Sequence, residues 1–120
     1  MRGTSRLRRT ISSWADSTDQ HARDLRRSHR VEGGTTIAEA PDREMVQLRG
    51  TLRTVTLRPR GGVPALEAEL DDGSGVLTIV WLGRRRIAGI GPGRDLEVQG
   101  RIGVHDGTRI IYNPRYELIP

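Results

Sequence analysis

The sequence contains no cysteine, no phenylalanine and no lysine, and only four of its residues are aromatic. Without cysteine, the 120-residue chain can form neither disulfides nor thiolate metal sites, and it has no cysteine nucleophile. No apolar run approaches the ~20 residues that span a bilayer, and no apolar signal segment follows the early arginines. We therefore expect a cytoplasmic protein that does not contact a membrane.

The sequence contains no recognisable catalytic or metal-binding motif. The three histidines are scattered, and this predicts no metal site. The glycines of 73–75 and 91–93 are typical of turns and lack the spacing of a nucleotide-binding loop. Asp71 and Asp72 are adjacent in a predicted turn, where aspartate commonly accepts backbone hydrogen bonds. We expect no cofactor, no metal and no enzymatic activity.

The charge of the chain is positive but modest. All 20 basic residues are arginine, and the net charge is +5. The pI of 11.1 overstates the excess, because arginine hardly deprotonates at any accessible pH. Residues 44–120 contain eleven arginines against nine acidic residues. This balance permits a local patch that binds a polyanion but does not require one.

The first 43 residues differ in composition from the rest and are predicted to form an arginine-rich arm. A narrow apolar stripe at three- and four-residue spacing predicts a helix at about 10–30. Its members are Ile11, Trp14, Thr18, Ala22 and Leu25. So few apolar residues make an isolated helix marginal in water. The arm is therefore either frayed or docked on a partner protein or a second copy of the chain.

From Glu44 onward the apolar residues alternate as they do in β-strands. Five strands are predicted, within MVQLRGTLRTVTLRP, PALEAEL, VLTIVWL, DLEVQGRIGV and TRIIYNPRYEL, the last ended by Pro114. The first changes phase after Leu52, which predicts a bulge or sharp bend, with Gly50 as the residue that permits it. The connector RRRIAGIGPG between the third and fourth strands is not a strand.

Five short strands bury their apolar faces best by closing into a barrel, with a long bent first strand serving both ends. We predict a mainly β fold, in which an N-terminal helical arm (1–43) precedes a five-stranded OB-type Greek-key barrel (44–120). An SH3-like barrel is the main alternative, but its strands are shorter and it lacks a connector between strands three and four.

Four motifs support the barrel: VQLRGTL, LEAELDDGSGVLTIVWL, GIGPGRDLEVQGRI and NPRYEL. Through them residues 46–118 resemble bacterial OB-fold nucleic-acid-binding domains, such as the wedge domain of the helicase RecG and tRNA-anticodon-type domains. Small stand-alone bacterial proteins of this type look most similar. The resemblance implies a binding face on strands two and three and on the loops one–two and four–five. By position this face includes Arg58, Arg60, His105 and Arg109, and it is bordered by Arg49, Arg53 and Arg101.

The stretch that ends the third strand combines a tryptophan with three arginines. Trp81 shares its phase with Leu77 and Ile79, which predicts packing in the core or at a barrel end. Arg84, Arg85 and Arg86 are either a solvated run or a seat for phosphates. Tyr112 has no clear phase, and Tyr116 is predicted to pin the end of the chain.

Because aromatic residues are few, binding is predicted to depend mainly on arginine contacts to phosphate. We predict a non-catalytic nucleic-acid-binding protein that favours single-stranded DNA or RNA. The alternative is a protein-interaction or self-assembly module, with the arm as a possible interface. Glu67 and Glu69 favour the alternative, because they point outward from strand two and repel phosphates. A continuous positive groove would favour nucleic acid, whereas alternating charges beside an exposed apolar strip would favour protein.

Overall fold

The structure is a computed structural model and describes residues 19–26 and 34–120. Residues 19–26 form a helix, α1; the rest of the helix predicted at about 10–30 lies outside the described residues. The strands are β1 (Met45–Leu57), β2 (Ala65–Asp71), β3 (Val76–Leu82), β4 (Asp95–His105), β5 (Thr108–Tyr112) and β6 (Arg115–Leu118). No helix in these ranges is long and apolar enough to cross a membrane.

Five of the strands close into a ring. β1, β2 and β3 form an antiparallel meander, and β3 pairs in parallel with β5. β5 pairs antiparallel with β4, which returns to the first half of β1 and closes the ring. This confirms the predicted five-stranded Greek-key barrel. The predicted last strand is divided at Asn113 and Pro114, and β6 continues it along the same edge of β4.

β1 is long because it pairs with two neighbouring strands. It pairs with β4 over Met45–Thr51 and with β2 over Thr51–Leu57. The predicted bulge is present between Leu52 and Thr54, where the apolar phase changes, but Gly50 is not part of it. Gly50 serves a different purpose: a Cβ there would lie 2.8 Å from Leu70 Cγ and 2.9 Å from the carbonyl oxygen of Asp71. Glycine therefore permits the close approach of β1 to β2 where β1 changes partners.

The apolar residues of the inward faces form one core that continues to one end of the barrel. Trp81, only 4% exposed, packs there with its ring 5.7 Å from that of Tyr116, edge to face. Ile87 from the β3–β4 loop is buried beside this core, and Ile90 and Leu118 pack against it. The prediction that Trp81 is a packing residue is confirmed.

The core also receives side chains from residues that precede β1. Ile37 is fully buried and Ala40 nearly so. Asp72, itself buried, accepts a hydrogen bond from the Ile37 amide at 2.9 Å. Arg109 donates to the Ile37 carbonyl at 2.7 Å, to the Ala40 carbonyl and to Asp42 Oδ1 at 2.8 Å. These bonds hold residues 37–42, which we call the 37–42 segment, between the β2–β3 turn and the start of β5.

Helix α1 lies against the end of the barrel that is formed by the β2–β3 turn. Gly73, in the β2–β3 turn, has a φ of +86°. A Cβ on it would collide with the backbone of Ala22 and Arg26, so the helix backbone approaches the turn directly. Most α1 side chains are exposed, and only Ala22 and Leu25 are half-buried. The helix therefore adds little to the core.

Candidate nucleic-acid interface

The outer face of β2 carries three carboxylates, Glu67, Glu69 and Asp71, which we call the acidic ladder. Their side chains alternate with the buried residues of the strand and point away from the core. In register Glu67 and Glu69 lie between Thr56 and Thr54 of β1 and Val80 and Thr78 of β3, and Asp71 lies between Thr51 and Val76. The face on which nucleic acid was expected therefore has a negative centre.

Three of the predicted arginines pair with this ladder. Arg53 lies 3.8 Å from Glu69 and 4.0 Å from Asp71. Arg58 and Arg60 both reach Glu67, at 3.9 and 3.3 Å. The charges on this face alternate, so it is not a continuous positive groove. A polar depression of about 210 Å³ lies among these side chains, lined by Thr54, Thr56, Arg58, Glu67, Glu69 and Thr78.

A second group of the predicted arginines lies at the barrel end where β2 begins and β3 ends. The Gly83 amide donates to the Pro64 carbonyl at 2.7 Å, and the Leu82 amide donates to Asn113 Oδ1 at 2.9 Å. These bonds bring the β1–β2 loop, the β3–β4 loop and the β5–β6 junction together. Arg84, Arg85 and Arg86 follow directly and are exposed. Within the described part of the chain, no acidic side chain pairs with them.

Tyr112 lies at the same end and faces outward. It pairs in register with Val80 and is 43% exposed. The Arg60 guanidinium carbon lies 5.9 Å from the centre of the tyrosine ring, and Arg60 Nη1 donates to the hydroxyl at 3.3 Å. We call this cluster the arginine rim; its members are Arg58, Arg60, Arg84, Arg85, Arg86 and Tyr112. It combines guanidinium groups with an exposed aromatic ring.

The predicted residues of the β4–β5 hairpin lie at the other end of the barrel. His105 is exposed, with Nε2 3.5 Å from the carboxylate of the adjacent Asp106. Arg109 differs, because all three of its side-chain nitrogens donate to the 37–42 segment. In this structure its guanidinium joins two parts of the fold.

Arg49 and Arg101 lie on a third surface, the wall formed by β1 and β4. Arg49 Nε donates to Glu97 Oε2 at 2.7 Å, and Gln47 also donates to Glu97. The bond from Arg49, followed by that from Gln47, lowers the pKa of Glu97 below its ordinary value of 4.5. Arg101 is exposed and in register with Met45. The ten predicted residues are therefore divided among separate surfaces of the barrel.

The outward position of Tyr112 was missed by sequence reasoning, which found no phase in β5. β5 shows no apolar phase because it carries buried residues on both of its faces. Ile111 belongs to the main core, whereas Ile110 is buried against Ala65 and Val80 on the outer side. The position of Tyr112 follows from the parallel pairing of β5 with β3, a contact between strands distant in sequence.

A closed five-stranded Greek-key barrel with this strand order defines the class of the protein as an OB fold. It is similar to the solution structure of a replication factor A related protein from Methanobacterium thermoautotrophicum, with a TM-score of 0.53 and 11% identity over 72% of this chain and 90% of that one. It is also similar to a replication protein A heterotrimer bound to ssDNA, with a TM-score of 0.52 and 12% identity over 76% and 69%.

The sequence itself matches no protein-family model. No curated protein matches it either. At identities of 11% and 12%, the two structural similarities establish the OB fold alone.

Proposed function

We propose that this protein is a non-catalytic nucleic-acid-binding protein that takes single-stranded DNA or RNA at the arginine rim. The observation that carries the proposal is the position of Arg84, Arg85 and Arg86, exposed and without acidic partners among the described residues, at the barrel end that also carries the exposed ring of Tyr112. The similarity to a replication protein A bound to ssDNA supports it. A cytoplasmic location and a relationship to bacterial stand-alone OB proteins of the RecG-wedge and anticodon type belong to the same proposal.

The rim offers the two kinds of contact that hold single strands. Guanidinium groups donate paired hydrogen bonds to phosphate oxygens. An exposed aromatic ring stacks on a base, which contributes about 1–3 kcal/mol per base. Arg60 lies close to the face of Tyr112 and can contact a base that stacks there. With one exposed tyrosine in the rim, phosphate contacts supply most of the affinity.

A protein-interaction module remains the second candidate function, and two observations favour it. Charges alternate on the β1–β3 face, as expected for a protein contact. The β4–β6 side also carries a depression of about 450 Å³, where Met45 is 63% exposed. That depression is lined by Met45, Gln99, Gly100, Asn113, Pro114 and Arg115.

The proposal is tested by neutralising the three arginines together, as Arg84→Gln, Arg85→Gln and Arg86→Gln. Each phosphate contact to a single strand contributes about 0.7 to the slope of log affinity against log salt. We therefore expect weaker binding of a labelled oligothymidylate and a slope shallower by about 2. Unfolding in urea should hardly change, because these side chains are exposed. Fluorescence anisotropy at several salt concentrations measures both affinity and slope.

A matched control removes three exposed arginines elsewhere: Arg23→Gln, Arg43→Gln and Arg115→Gln. The control has the same net charge as the rim variant, so long-range attraction falls equally in both. An equal loss of slope in the two variants would place the binding surface outside the β3–β4 loop. If neither DNA nor RNA oligonucleotides bind at low salt, the function itself is refuted, and the protein-interaction candidate takes its place.

A further inference from the structure

The acidic ladder occupies the outer surface between the two ends of the barrel. Glu67, Glu69 and Asp71 are spaced by two residues along β2, so the ladder extends over roughly 13 Å. The arginine rim lies beyond its Glu67 end, and the β2–β3 turn with the 37–42 segment lies beyond its Asp71 end. A strand that leaves the rim along β2 and β3 must therefore pass over the carboxylates.

The arginines beside the ladder do not remove this barrier. Arg53, Arg58 and Arg60 already lie within 4.0 Å of its carboxylates. If one of them turns to a phosphate, it leaves a partly buried carboxylate unpaired next to the incoming negative charge. Arg84, Arg85 and Arg86 have no such partner to give up among the described residues. Phosphate binding is therefore most favourable at the Arg84, Arg85 and Arg86 part of the rim and unfavourable over the ladder.

At the Asp71 end of the ladder, few side chains are available to bind further phosphates of the strand. Arg109, which lies at that end, donates from all three nitrogens to the 37–42 segment. Its side chain is only about one quarter exposed. A phosphate there would have to break bonds that hold Ile37 in the core.

On the basis of the function proposed above, we propose that the acidic ladder confines bound nucleic acid to the arginine rim and thereby sets a short binding site. The site takes about four nucleotides of single strand, the lower limit of the ~4–16 nucleotides that OB folds bind. Glu67 and Glu69 are the residues that determine this length, because they lie next to the rim and face the path.

The test measures affinity against length for oligothymidylates of about 3 to 16 nucleotides, corrected for the number of overlapping positions on each oligonucleotide. For the native chain, the affinity should stop rising at about four nucleotides. In the Glu67→Gln, Glu69→Gln variant it should keep rising with length. For a 12-mer its salt slope should be steeper by about 1.4, as two added phosphate contacts require. Glutamine keeps the size and part of the hydrogen bonding, so the fold is preserved.

The control variant, Glu39→Gln with Glu117→Gln, makes the same change in net charge at exposed positions away from the ladder. It should raise the affinity for all lengths alike and leave the length of the site unchanged. The inference is overturned if the native affinity rises steadily to 12 nucleotides, or if the ladder variant behaves like the control. In both cases binding persists, so the proposed function survives. Absence of binding at every length would instead refute that function and, with it, this inference.

Discussion

Trp81 and the three arginines that follow it at positions 84–86 show how closely a core residue and a candidate binding residue lie in the chain. Trp81 is buried at the barrel end and contacts Tyr116, whereas the arginines are exposed. We expect Trp81→Ala to lower the free energy of unfolding by ~3–5 kcal/mol, because it empties a packed site. Urea unfolding measures the loss. A loss below ~1 kcal/mol would show that the barrel end repacks around alanine.

Glu97 makes the stability of the barrel depend on pH. Its pKa is lowered in the folded protein, chiefly by Arg49, so ionised Glu97 stabilises the fold above its unfolded pKa of about 4.5. This stabilisation is lost as the pH falls through the lowered folded pKa. Replacing Glu97 by glutamine should cost about 1 kcal/mol at pH 7, since Arg49 is 40% exposed and solvent screens the pair.

The measurement compares urea unfolding of the native chain and the Glu97→Gln variant from pH 7 down to pH 2. The difference in free energy of unfolding should shrink only below about pH 4.5. Glu117→Gln is the control, because Glu117 is exposed and in register with Glu97 on β6. A constant gap between native and Glu97→Gln down to pH 2 would contradict the assignment.

Among the elements, the 37–42 segment decides where the folding unit begins. The sequence predicts a barrel that starts at residue 44, yet Ile37 is fully buried in the core. Deleting residues 1–33 removes α1 and should cost only ~1 kcal/mol, because its side chains are mostly exposed. Deleting residues 1–43 removes Ile37 as well, together with the amide that donates to Asp72 Oδ2 and all three acceptors of the Arg109 side chain. We expect this longer deletion to cost at least ~3–5 kcal/mol.

Thermal unfolding of the two truncated chains provides the measurement. Equal transition temperatures would show that the barrel folds from residue 44 and that the 37–42 segment is only attached to it. A transition that is lost or much lower only after the longer deletion would place the start of the folding unit between residues 34 and 43.

What the sequence could predict was local. Alternation revealed the strands, and the phase of Trp81 with Leu77 and Ile79 indicated its burial, because period-two patterns record which face meets the core. The change of phase after Leu52 marked the bulge correctly, but Gly50, the residue predicted to permit it, lies outside it. The structural use of Arg109 was hidden, since its partners at residues 37–42 are far away in sequence.

The same limit applies to the candidate site. A run of three arginines is visible in the sequence, but its position at the same barrel end as Tyr112 depends on the parallel pairing of β3 with β5. The outward direction of Glu67 and Glu69 was predictable from alternation. Their pairing with arginines from β1 and the β1–β2 loop was not, because it depends on how β1 curves over β2.

For the whole molecule, the distribution of charge over the surface matters more for ligand binding than the net charge does. The net charge of +5 is small for 20 arginines, and several of these pair with carboxylates on the barrel wall. Among the described residues, Arg84, Arg85 and Arg86 of the β3–β4 loop have no carboxylate partner, so the positive potential available to a ligand is concentrated there.

The closure of the ring by β5 has a consequence for the newly made chain. β1, β2 and β3 can pair as soon as they are synthesised, but the strand that joins β3 to β4 ends at Tyr112, 30 residues after Leu82. At ~5–20 residues per second, ribosomes need roughly 2–6 s to make that interval. Meanwhile the meander exposes an apolar inner surface and open strand edges to other nascent chains. The charged residues on its outer side then act as gatekeepers against edge-to-edge association.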